Sequence, residues 1–390
     1  MSADELLAVG RISVVGVGGG GGNAVNAMAE GWDSGPSLMA INTDLQALAG
    51  CATTTRLQIG AKITRGLSTG GDPKLGRLAA EDDYEAIQGL FAGMDLVFVV
   101  VTLGGGTGTG AAPVVARAAH ESGALVIAFA TLPFNFEGER RMTLARQGLA
   151  DLREDADLVI TVPNERLFEE CRELTAEAAF QQADRILGMG VFAIWKLLVQ
   201  RGLVNVDFAA LRTVANRSGG TSTFGYGEGH GADKAATALR AVLDSPLLEH
   251  GRVLAEAESV LISIVGGPDL AFREVEALID GVRTAARKDA HLVPGKATDE
   301  RWRDGVAVTL IASERWVLDE DPRPAAAPDA AEREPLEAGK RRKGRGRSTQ
   351  TQLGFEALGK GFFKDVEPTI LNGEDLDIPT FIRRGAIIEK

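Results

Sequence analysis

Leu103 to Pro113, LGGGTGTGAAP, gathers five glycines and two threonines between an apolar strand-like run, Leu96 to Val101, and a helix-like run, Pro113 to His120. Glycine costs backbone entropy, so such a cluster needs a reason. Close backbone approach to an anion supplies one, with free N–H groups and a helix N-terminus aimed at the charge. Thr107 and Thr109 add hydroxyl donors, and the chemistry this favours is phosphate binding. No Lys-Ser or Lys-Thr follows the glycines, so the loop is not of the Walker A type. A second unit precedes it: Ile12 to Val17, ISVVGV, reads as a buried strand running into GGGGGNAVNAMAE, with helical character from Asn23 onward. Gly16-x-Gly18-x-x-Gly21, with Asp44 ending the next strand, meets the dinucleotide-binding spacing. The second glycine loop argues against a dinucleotide, because one pyrophosphate needs one such turn. A triphosphate held between two loops uses both.

Those loops need a scaffold. Further strands are predicted at Ser37 to Ile41, Ala124 to Ala130 and Leu158 to Val162, alternating with helices, which argues for a parallel sheet. In an open α/β sheet the loops after the strands share one edge, so the glycine loop, Asp44, Asn135 and Asn164 are expected to converge there. Ala176 to Leu198 is long and largely apolar and reads as a central helix, with Trp195 as packing. SGGTSTFGYGEGHG follows as a glycine-rich connector. A smaller mixed segment comes next: a helix around Ala235 to Leu243, a strand Ser259 to Val265, a helix Phe272 to Ala286 and a strand Gly305 to Ser313. After Trp316 the composition turns to Pro, Ala, Glu and Arg, which cannot bury enough apolar surface to fold alone. The fold class expected is α/β: a Rossmann-like parallel-sheet domain, a central helix, a smaller α+β second domain, a disordered linker and a carboxyl-terminal peptide.

The 390-residue chain is 45% hydrophobic and 25% charged, an ordinary composition for two globular domains. A net charge of −12 argues against nucleic acid as the main partner. Lys340 to Arg347, KRRKGRGR, is a local basic run and reads first as a solvating stretch. Cys51 and Cys171 cannot make a disulfide framework, and MSADELLAVG lacks the basic and apolar regions of a signal peptide, so a cytoplasmic protein is expected. No apolar run reaches the ~20 residues of a membrane helix. The four histidines show no metal spacing, and no protein metal site is expected.

GVGGGGGNAV, AINTDLQAL, GGGTGTGAAP, PFNFEGERRM, PNERL and NVDFA, in that order, resemble the tubulin/FtsZ superfamily, and the terminal DIPTFIRR resembles its FtsZ branch, the bacterial division tubulins. The likeness spans residues 11 to 316 and returns at the carboxyl end. It implies an amino-terminal arm (1–10), a GTP-binding domain (11–175), a central helix (176–202), a second domain (203–316), a linker (317–366) and an adaptor-binding peptide (367–390). It further implies GTP and GDP as ligands with Mg²⁺, protomers stacking head to tail into filaments, and a place at the midcell division ring. Residue by residue it gives Gly19, Gly20, Gly21, Gly22, Gly70, Gly71, Asp72, Gly105, Gly106, Thr107, Gly108, Thr109 and Gly110 to the nucleotide. Glu137 and Arg141 fall on the ribose side, and Asn23 reaches the guanine. Glu137 and Arg141 also suit a surface ion pair at i,i+4.

Two departures stand out. The family's Phe-x-x-x-Asn-Asp stretch is here Phe180-Gln181-Gln182-Ala183-Asp184-Arg185, so Asp184 is the carboxylate left to accept from guanine N1–H and the exocyclic amine. In the loop that enters the neighbouring protomer's site, Asn205 and Asp207 match and Ala210 stands where a second acid is expected. Phosphoryl transfer rests on positioning and charge, so losing one water-orienting group is expected to cost ~10² to 10⁴ in rate without abolishing binding. Filaments that hydrolyse GTP slowly are expected, and a GTP-dependent scaffold with little turnover is the alternative. Asp375 to Gly385, DLDIPTFIRRG, resembles the peptide that docks on membrane-tethering adaptors: Ile378, Phe381 and Ile382 can form one apolar stripe, with Arg383 and Arg384 favouring an anionic rim.

Overall fold

The computed structural model describes residues 11–32, 35–171, 175–199, 211, 222–313, 370–371 and 374–375. The chain divides into two units, Met1–Asp321 and Pro322–Lys390. In the second unit the described residues form one short antiparallel pair, with Ile370 opposite Asp375. Asn205, Asp207 and Ala210, the linker 317–366, the basic run 340–347 and nearly all of the terminal peptide lie outside the described residues.

In the first unit the strands are β1 (Ile12–Val17), β2 (Ser37–Asn42), β3 (Thr55–Gln58), β4 (Leu96–Thr102), β5 (Leu125–Leu132), β6 (Leu158–Pro163), β7 (Ser222–His230), β8 (Ser259–Gly266), β9 (His291–Thr298) and β10 (Gly305–Ser313). They form one sheet in the order β3-β2-β1-β4-β5-β6-β7-β10-β8-β9. From β3 to β6 every pairing is parallel, as continuous apolar runs such as LVFVVVT predict for strands covered on both faces. β7 joins the sheet through Ile160 opposite Ser222, and β10 runs antiparallel to both β7 and β8.

The main helices are α1 (Gly18–Gly31), α2 (Leu45–Ala49), α3 (Pro73–Asp82), α4 (Thr107–Glu121), α5 (Glu139–Asp155), α6 (Asn164–Cys171), α7 (Ala176–Val199), α8 (Lys234–Leu243) and α9 (Phe272–Ala285). The alternation of side chains along a strand sorts the core. Leu96, Phe98 and Val100 of β4 point to the face covered by α1 and the central helix α7, while Val97, Val99 and Val101 point to the face covered by α3, α4 and α5. A third cluster packs α8 and α9 against β8 and β10. Trp195 is buried in the first cluster, as packing.

The structure adds two strands that the sequence reading lacked, β3 and β9, and revises that reading at three further places. α1 starts at Gly18, so the glycine run is the first turn of a helix and not a loop ahead of one. α4 likewise starts at Thr107 and carries Pro113 inside it. The proline lies beyond the first turn, in the helix interior, and leaves the Thr109 carbonyl without its usual donor. Finally, the supposed connector holds a strand, β7. Gly225, Gly227 and Gly229 alternate along it, and a side chain at Gly227 would run into the backbone of α8 at Ala238 and Val242. The glycines are there because a helix backbone lies directly on the strand.

Candidate functional site

The site is built where β1 and β4 end side by side. Gly18 closes β1 with φ +73, and a side chain there would stand 2.6 Å from the Gly108 nitrogen, so the two glycine segments abut. At Gly19 and Gly105, by contrast, nothing lies within 4 Å of where a side chain would begin. These two positions open outward between the two helix starts. Gly20, Gly21, Gly22 and Asn23 continue α1; Gly106 caps α4; Thr107, Gly108, Thr109 and Gly110 form its first turn.

Several helices begin around this edge, and their ends differ. Asp44 caps α2, accepting from the Gln46 and Ala47 N–H groups at 2.9 and 3.1 Å. Asp72 caps α3, accepting from the Lys74 N–H at 2.9 Å. α1 and α4 have no side-chain cap. Their first N–H groups and the positive ends of their dipoles remain available to an anion.

The surrounding loops are tied to these ends. The Thr107 hydroxyl pairs with Thr43 at 2.9 Å, and Thr109 Oγ1 accepts the Gly104 N–H at 2.8 Å. Both threonines are buried, so their hydroxyls fix the glycine segment as well as offering polarity to a ligand. The Gly70-Gly71-Asp72 turn stands against Gly106. A cavity of about 150 Å³ lies between α1 and the β2–α2 connection, walled by Gly19, Gly22, Asn23, Asn42, Gln46 and Cys51.

Glu137 accepts from the Phe134 N–H at 2.9 Å and pairs with Arg141, the i,i+4 arrangement that the sequence allows. The Arg141 backbone lies against Gly104, which brings this pair to the glycine segment. Phe180, at the start of α7, stands edge-on to Phe134 with centroids 5.2 Å apart, and Phe136 stacks on Phe134 at 5.1 Å. Asp184, one turn further on, lines a different cavity of about 420 Å³ between α7 and strands β7 and β10, beside Arg185. Burial pushes the Asp184 carboxyl up to about 7.

Two side chains absent from the predicted set, and Asn164, which the strand order already placed here, share this edge. Asn42 and Gln46 wall the smaller cavity. Asn164, 2% exposed at the end of β6, has a side-chain oxygen without a hydrogen-bond partner among the described residues. Its place in PNERL after an apolar strand was the available signal. No cluster of three or more potential metal ligands occurs among the described residues, and no helix there is long and apolar enough to cross a membrane.

Comparison with known proteins agrees with this architecture. The family model for the Tubulin/FtsZ family GTPase domain matches residues 11–172, and that for the FtsZ family C-terminal domain matches residues 220–314. The chain is 42% identical over 315 residues to cell division protein FtsZ 1 of Archaeoglobus fulgidus, covering 80% of this chain and 85% of that one. Cell division protein FtsZ of Aquifex aeolicus is 39% identical over 312 residues, covering 80% and 84%. Among solved structures, the empty FtsZ dimer of M. jannaschii superposes with a TM-score of 0.73 at 35% identity, covering 83% of this chain and 99% of that one. CetZ1 of Haloferax volcanii shares the fold, with a TM-score of 0.67 at 22% identity over 78% and 94% of the two chains. The chain belongs to the tubulin/FtsZ family.

Proposed function

We propose that this chain is a GTP-hydrolysing, filament-forming protein of the cell-division cytoskeleton, with its nucleotide seated where α1 and α4 begin. The observation that supports the seat is a contrast among helix ends at this edge: α2 and α3 are closed by aspartates, while α1 and α4, whose glycine-flanked starts abut each other, have no side-chain cap. A triphosphate is the anion that such a pair fits, since each helix end can take its own phosphate. The base lies toward Asn23 and the Phe134, Phe136 and Phe180 rings, where the unpartnered oxygen of Asn164 suits a donor on base or ribose. Mg²⁺ is held mainly through phosphate oxygens and water.

Hydrolysis is completed between protomers. Asn205 and Asp207 of one subunit orient water at the site of the next, and Ala210 leaves the loop one acid short, which favours slow turnover and keeps the low-activity scaffold as the second reading. The protomers stack head to tail, and the peptide Asp375 to Gly385 engages membrane-tethering adaptors at a cytoplasmic division ring. Phosphate release with GTP and Mg²⁺, followed alongside light scattering, tests the loop. Ala210→Asp is expected to raise release per polymerised subunit by about 10²-fold or more. A rate unchanged by the substitution removes the argument for slow turnover.

A further inference from the structure

The larger cavity takes no part in the phosphate seat. Met28, Trp32, Met189, Phe192 and Trp302 make its apolar wall. Trp32 lies 5.5 Å from Phe192, and His230 stacks on Trp302 at 5.5 Å. An aromatic and methionine wall of this kind is what an apolar side chain or ligand buries against.

We propose that Leu6 to Val9 of the amino-terminal arm seat in this cleft and cover its aromatic wall. The strand register brings the arm to the cleft's edge. Ser37 stands opposite Ser13 across β1 and β2, so Trp32, five residues before Ser37, lies at the same end of the sheet as Arg11, two residues before Ser13. Lengths agree: β1 carries the chain about 20 Å away from that end and α1 returns it about 21 Å. Ile12 and Trp32 pack into one apolar cluster. The ten residues ahead of Arg11 can span at most about 33–36 Å, ample to enter a cleft that starts beside them. Their sequence, MSADELLAVG, puts Leu6, Leu7 and Val9 in reach, with Asp4 and Glu5 just before. The cleft also carries Arg185 and Arg301 together with Asp184 and Glu228, so its charged lining is balanced and the apolar wall is what selects Leu6, Leu7 and Val9. A tethered segment also outcompetes a free solute, because it meets the cleft at an effective concentration in the millimolar range.

Acrylamide quenching of tryptophan fluorescence, with bis-ANS uptake as the second readout, tests the proposal on three proteins: the full chain, a chain lacking residues 2–10, and the full-length Leu6→Asp/Leu7→Asp variant. Two of the four tryptophans line the cleft, so quenching is expected to rise about two-fold in both altered proteins. Dye uptake should rise with it, and a peptide of residues 2–10 added to the shortened chain should reverse both. Equal quenching and dye uptake in all three proteins overturns the proposal and leaves the cleft open to a soluble apolar molecule. A full-length Leu6→Asp/Leu7→Asp variant that matches the unaltered chain overturns it too, even if the shortened chain differs. Retention of GTP-dependent light scattering shows that the altered proteins are folded.

Discussion

Gly19 and Gly105 matter for the space in front of them, whereas Gly18 and Gly108 matter for the backbone they let through. An aspartate at Gly105 would put a carboxylate where the account seats a phosphate, and the backbone there is compatible with a side chain. Gly105→Asp should weaken GTP binding by about 100-fold or more, since opposed like charges cost several kcal/mol, with the melting temperature nearly unchanged; fluorescent-nucleotide titration and thermal melting check both parts. Asp184 carries a second expectation. Its folded pKa, raised by burial to about 7, lies above the unfolded value, so the folded state holds the proton longer and stability falls as pH rises from about 4 to about 7. Asp184→Asn removes that loss, so it should raise the melting temperature at pH 8 and leave it unchanged at pH 4. The meeting of the two glycine segments was legible from glycine clusters following apolar strands. Asn42 and Gln46 were not assigned from the sequence, and Asn164 was placed at the edge without a role, because a polar residue after a strand looks the same whether it caps a helix, as Asp44 does, or faces a ligand.

Between elements, the clearest commitment is the pair Lys196 and Asp299, which joins the central helix to the turn after β9 at 3.0 Å with both side chains nearly buried. Burial alone would raise the Asp299 carboxyl, but donors from Arg301 and Lys196 outweigh it and hold it at about 2. The folded value lies below the unfolded one, so this contribution is full above about pH 4 and is lost as pH falls toward 2. Removing the carboxylate strands the Lys196 ammonium, whereas removing Lys196 leaves Asp299 still paired with Arg301. Asp299→Leu alone should therefore cost about 3–5 kcal/mol, Lys196→Met less, and the double variant less than Asp299→Leu, as denaturant unfolding would reveal. The strands β1, β4, β5 and β6 were readable as continuous apolar runs, and α7 by its length. β7 was not, because its alternating glycines serve the close approach of α8, a tertiary demand that in one dimension looks like a loop. The start of α4 was misplaced for a related reason: glycines and an internal proline read as loop until the phosphate-facing turn is seen to be helical.

For the whole molecule, the parallel half of the sheet gathers every strand's exit at one edge, and the central helix carries the chain from that edge to the mixed half formed by β7 to β10. On the function proposed above, one half seats nucleotide and a neighbouring copy supplies Asn205 and Asp207, so the chain should be a poor GTPase alone and an active one only in a polymer. The parallel character of the sheet could be inferred from strand–helix alternation, but neither its order nor its continuity across Ile160 and Ser222 could, since the sequence places about sixty residues between those two strands. The most direct measurement is light scattering and phosphate release across a series of protein concentrations, with GTP and Mg²⁺, for the unaltered chain and Gly105→Asp. The account predicts that both signals appear together above a threshold concentration in the unaltered chain and that neither appears in the variant. Assembly that proceeds equally without nucleotide, or a Gly105→Asp protein that assembles and releases phosphate like its parent, would contradict it.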